Sequence, residues 1–76
     1  MNRHDIKIKL KKMSASELRA LFEKAELEEE EKWLLKYYLD DKMVLNTCRK
    51  LNMSESRYHR MLPVALTKVH YTLKFN

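Results

Sequence analysis

The chain has 76 residues, a formal net charge of +5, one cysteine, one proline and no glycine. That length allows one domain, near the lower limit at which a fold buries enough apolar surface to stand alone. A single Cys48 excludes an intramolecular disulfide, widely spaced His4, His59 and His70 argue against a local metal cluster, and a chain without glycine has no glycine-rich phosphate loop. No metal or cofactor is therefore expected. Abundant Leu, Lys, Glu, Met and Ala favour helices, so the expected fold class is all-α. Every apolar run is short and interrupted by charge, and no hydrophobic leader follows Met1, so the expectation is no membrane association and a reducing cytoplasm.

Charge is unevenly placed: residues 1–12 carry +4, residues 13–41 carry −5 and residues 42–76 carry +6. A polyanion would meet two basic ends and an acidic middle. In chain order, residues 1–13 read as a basic N-terminal arm. Its segment IKIKLK (residues 6–11) alternates apolar and polar residues with the period of a strand, and it reads as extended or partly helical. VHYTLKF (residues 69–75) has the same alternation and could pair with it as a ribbon, but a competing helical stripe is the stronger pattern there.

Residues 14–76 read as a single domain of four helices. The first spans residues 14–26: Ser14 caps, Glu17 completes a capping box, Met13 staples onto Leu18, and Leu18, Leu21, Phe22 and Ala25 form one apolar stripe. Glu28, Glu29, Glu30 and Glu31 sit where carboxylates favour the start of a second helix. Trp33, Leu34, Tyr37 and Tyr38, with Leu35 and Leu39, then supply a wide buried face. A short third helix over residues 42–51 carries Val44, Thr47, Cys48 and Leu51 at i, i+3, i+4, i+7, with Cys48 buried on its inner face. The fourth is capped by Ser54 and lined by Tyr58, Met61, Leu62, Ala65, Leu66, Val69 and Leu73. Pro63 lacks an amide hydrogen and clashes with the carbonyl of His59, so a kink near residues 60–62, or a break with Pro63 opening a new helix, is expected.

The last two elements have the spacing of a helix-turn-helix at about residues 42–62. Cys48 is the small residue at the crossing, Asn52 tolerates positive φ in the turn, Met53 is the hydrophobic turn residue, and Tyr58 and Met61 anchor the second helix inward. Its outward N-terminal face would present Glu55, Ser56, His59 and Arg60 to base edges in a major groove. Arg49, Lys50 and Arg57, with the Ser54 end of the helix, are placed for phosphates. The plainer alternative is two packed helices with a charged exterior.

CRKLNMSESRYHRMLPVALTKV resembles DNA-binding region four of bacterial sigma factors, with Cys48, Leu51, Asn52-Met53-Ser54, residues 55–60 and Ala65-Leu66 in the family's register. It is closer still to small sigma-like phage and prophage regulators of the ArpU and RinA type, with Tyr58-His59 where an aromatic pair recurs. The resemblance spans about residues 29–73. It implies a transcriptional regulator, encoded by a phage or mobile element and acting in a bacterial cytoplasm, that reads double-stranded DNA through Glu55, Ser56, His59 and Arg60. Asn52 in place of glycine, Pro63 in the reading helix, and Met43 and Leu45 near the start of the third helix depart from the family pattern. RNA polymerase or another transcription protein is an implied partner, and homodimerisation is compatible with paired half-sites. A competing reading keeps the fold but makes it a module that binds a transcription protein through Tyr37 and Tyr38 or Met43 and Leu45. No acid, base and polarising group converge, so an enzyme is not expected.

Overall fold

The computed structural model describes residues 2–75, which form five helices and no strand. These are α1 (Arg3–Lys11), α2 (Ala15–Lys24), α3 (Glu29–Leu39), α4 (Val44–Leu51) and α5 (Glu55–Phe75). Each of the other four packs against α5, which serves as the axis of the fold. Its buried Tyr58, Leu62, Ala65, Leu66 and Val69 meet Ile6 and Leu10 of α1, Leu21 and Phe22 of α2, Leu34 and Leu35 of α3 and Cys48 of α4 in one apolar cluster. No helix among the described residues is long and apolar enough to cross a membrane.

The N-terminal segment is helical, which decides between the extended and the partly helical readings and removes any ribbon with residues 69–75. Asn2 caps α1 by accepting a hydrogen bond from the His4 amide at 2.9 Å. The alternation of Ile6, Ile8 and Leu10 suits a strand, but only two of the three need burial. A helix puts residues four apart on one face and the residue between them on the other. Ile6 and Leu10 are accordingly buried, while Ile8 is 41% exposed.

The start of α2 is as its sequence implies. Glu17 accepts from the Ser14 amide at 2.9 Å, Ser14 Oγ accepts from the Glu17 amide at 3.2 Å, and Met13 and Leu18 both lie half-buried against the core. The acidic run likewise begins α3, with Glu29, Glu30 and Glu31 in its first turn. The buried face of α3 is narrower than expected, however. Leu34 and Leu35 are fully buried, whereas Trp33 is 44% exposed and Tyr37 and Tyr38 are half-buried. Lysine ammonium groups lie over these rings: Lys36 over Trp33, Lys42 over Tyr37 and Lys7 over Tyr38, at 4.9, 5.2 and 4.7 Å from the ring centres. Such pairs satisfy an aromatic face without removing it from water.

Of the two outcomes expected at Pro63, a new helix opening there does not occur: α5 runs from Glu55 to Phe75 with the proline inside it. A proline inside a helix costs about 3 kcal/mol. Burial of one large aliphatic side chain contributes about 1.5–3 kcal/mol, and Leu62, Leu66 and Val69 flank the proline on a single buried stripe. Core packing therefore outweighs the lost hydrogen bond. The Thr67 hydroxyl also donates to the Pro63 carbonyl at 2.7 Å.

Candidate nucleic-acid interface

The candidate site is built on the junction of α4 and α5. The chain leaves α4 through Asn52 in the left-handed region (φ 53°, ψ 51°), with the Asn52 amide donating to the Arg49 carbonyl at 3.4 Å and the Met53 amide to the Cys48 carbonyl at 3.0 Å. This is the Schellman pattern, in which the orphan carbonyls of the last turn are satisfied by the residues just beyond it. Asparagine is the residue best suited to that backbone after glycine, because its short side chain bonds locally. Met53 then folds back half-buried onto the core. Ser54 starts α5, its hydroxyl accepting from the Arg57 amide at 3.1 Å and its carbonyl from the Tyr58 amide at 3.0 Å. Three residues thus join α4 to α5, with the Asn52 and Met53 amides closing the first helix and Ser54 capping the second.

Tyr58 fixes the roll of α5. It is buried, and burial pushes its hydroxyl above the ordinary tyrosine range. Cys48, also buried, lies on the facing side of α4; desolvation first, and the Glu55 carboxylate second, raise its thiol pKa and keep it protonated and unreactive. With Tyr58 pointing inward, Glu55 and His59 form one exposed column at i, i+4 spacing, and Ser56 and Arg60 form a second beside it. The His59 ring meets Tyr58 edge to face at 5.3 Å between centres, which restricts its orientation. All four residues expected to reach base edges therefore share one exposed patch on the first two turns of α5. Arg49 and Lys50 are exposed on the last turn of α4, so cations flank the junction.

Arg57 behaves differently from the other expected phosphate contacts. Its guanidinium is paired with the carboxylate of Glu30, in the first turn of α3. One residue on, Glu31 is only 4% exposed and accepts from the Glu28 amide and from Lys68 Nζ, both at 2.9 Å. An open groove of about 580 Å³ follows this seam, bordered by Glu28, Glu31, Arg57, Arg60 and Lys68. The sequence places these acids at a helix start and leaves their pairing partners within the chain open. The further signal was charge complementarity between an acidic first turn and a basic helix, but no spacing rule connects residue 30 to residue 57.

The apolar surface lies elsewhere. Met43 and Leu45, at the start of α4, are 67% and 49% exposed. A second groove, of about 490 Å³, runs between α2 and α3 beside Trp33, Leu18 and Phe22. Comparison with known proteins adds no relative: no protein-family model, no curated protein and no solved structure matches the chain. The functional reading therefore rests on the geometry of the site.

Proposed function

We propose that this chain is a sequence-specific double-stranded DNA-binding regulator of transcription, with α4 and α5 acting as a sigma-region-four-like helix-turn-helix. The observation that carries this reading is the junction itself: an asparagine Schellman turn, a serine cap and a buried Tyr58 leave Glu55, Ser56, His59 and Arg60 exposed together at the start of the second helix. In a helix-turn-helix that end of the second helix enters the major groove. Arg60 would donate to guanine, Glu55 would accept from a cytosine amine, Ser56 and His59 would bond base edges, and Arg49 and Lys50 would hold phosphates.

Selection of bound sequences from a random DNA library is the direct test. An enriched motif is expected, together with affinity that falls steeply with salt. Arg60→Ala should cost about 1–3 kcal/mol at one base position and relax preference there, whereas Lys50→Ala should weaken all sequences alike and flatten the salt slope by about one unit. Absence of any retardation at low salt, with promoter DNA included, would sink the reading. The exposure of Met43 and Leu45 favours a second one, in which the same fold docks on a transcription protein such as RNA polymerase. Stoichiometric recovery of such a protein from nuclease-treated lysate, without DNA binding, would select it.

A further inference from the structure

We infer that Glu30 is an internal competitor for the DNA backbone: it occupies Arg57 in the free protein, so binding to DNA proceeds by exchange of a carboxylate for a phosphate on the same guanidinium. The inference rests on the DNA-binding reading above. It starts from position. Glu30 and Glu31 are adjacent in α3 yet pair with Arg57 and Lys68, which are eleven residues apart on α5. Eleven residues span about 16 Å of helix. The start of α3 therefore lies alongside the stretch between them, and Arg57 reaches toward the middle of α5 and away from its N-terminal turn.

The two pairs at this seam differ in what they can do. Glu31 is buried and holds both Lys68 and the Glu28 amide, so it is fixed to the fold. The Arg57 and Glu30 side chains are 53% and 30% exposed. An ion pair this open to solvent is worth little to stability, about 0–1 kcal/mol, and is exchangeable. A phosphate offers a guanidinium the same bidentate acceptor geometry as a carboxylate. Arg57 is also one turn from Arg60 and directly follows Ser56 in sequence, so a backbone strand beside the reading patch comes within its reach once Glu30 is displaced.

The consequence concerns overall affinity for DNA. Every phosphate contact strengthens binding to all sequences equally. Holding Arg57 on Glu30 sets a cost on one such contact, and lowers affinity for all sequences alike while leaving Glu55, Ser56, His59 and Arg60 open to bases. The test is a set of salt titrations, by fluorescence anisotropy, of wild type, Glu30→Gln, Arg57→Ala and the double variant on the selected duplex and on a scrambled one. Glu30→Gln is expected to bind both duplexes about two- to fivefold tighter, the gain being largest at low salt. In the Arg57→Ala background the same change should give little. Glu29→Gln removes an equal charge from the same turn without freeing Arg57, and its gain should be smaller.

A gain from Glu30→Gln that persists without Arg57, or that Glu29→Gln matches, overturns the exchange and leaves only general repulsion. Unchanged affinity in Glu30→Gln, with wild type binding DNA and both proteins equally helical, overturns it as well. Failure of every protein, wild type included, to bind any DNA sinks the functional reading itself, a distinguishable result.

Discussion

The turn that follows α4 and the turn that follows α3 use one backbone and two different ways of making it tolerable. After α4, Asn52 takes the left-handed conformation, and the side chain that comes next, Met53, folds onto the core. After α3, Asp41 takes it (φ 59°), with its amide donating to Tyr38 at 3.2 Å and the Lys42 amide to Tyr37 at 3.0 Å. Here the contact that normally follows, an apolar residue packing back on the last turn, is replaced by the Lys42 ammonium over the Tyr37 ring. Asp41 is further gripped by Lys7 and Lys11, one turn apart on α1. A third turn, after α2, repeats the backbone with Glu26 (φ 56°) and Leu27 buried behind it. No side-chain hydrogen bond or ion pair reaches Glu26 among the described residues.

Without glycine, the described residues thus meet a left-handed penalty three times, and the three turns differ in the side chain that takes it and in what holds that side chain. The largest effect should come from removing local relief. Asn52→Ile puts a β-branched side chain at positive φ and should destabilise the fold by about 1–2 kcal/mol, measured by denaturant unfolding. DNA affinity should fall with it, since the turn aims α5. Retention of full stability would mean that the strain attributed to this turn is absent.

Glu26→Gly should act in the opposite direction. Relief of left-handed strain is worth about 1–2 kcal/mol, and the greater freedom of an unfolded glycine takes back about 0.5–1 kcal/mol, leaving a net stabilisation of about 0.5–1 kcal/mol. Asn52→Gly gains less, a few tenths of a kcal/mol at most, because asparagine begins less strained. Equal gains at the two sites would show that the identity of the left-handed residue is irrelevant and that the comparison fails.

These turns also mark how far the sequence could be read. Asn52 was legible because an asparagine between a helical stripe and a serine cap has few other uses. Ser14 with Glu17, and the acids opening α3, were legible for the same reason: capping is local, and its partners lie within four residues. Ile6, Ile8 and Leu10 left the reading open because alternation over six residues fits a strand as well as a helix, and the distinction depends on which residues face α3 and α5. Whether α5 continues through Pro63 was not legible, because the local cost of a proline is visible in sequence while the packing of Leu62, Leu66 and Val69 that overcomes it is not. At the candidate site the exposed columns of α5 followed from helical spacing and the inward Tyr58. The pairing of Arg57 with Glu30 did not, since it depends on how α3 crosses α5 across 27 residues of chain.

The smallest expected effect belongs to the distant relief at Asp41, and pH isolates it. Hydrogen bonds from Lys11 first, and then Lys7, lower the Asp41 pKa from 3.8 to about 2, and the partnership with Asp41 raises that of Lys7. A carboxylate with a depressed folded pKa contributes stability that is complete above its unfolded value and is lost as pH falls through the folded one. The contribution should therefore be present above about pH 4 and vanish toward about pH 2. Asp41→Asn removes the charge but keeps a side chain that accepts the left-handed backbone, so the stability difference between wild type and variant should shrink across that window. The Asp41 side chain is 57% exposed, so added salt should shrink the difference even at neutral pH. A difference that stays constant through the acid window would assign the role of Asp41 to its backbone conformation and not to the two lysines.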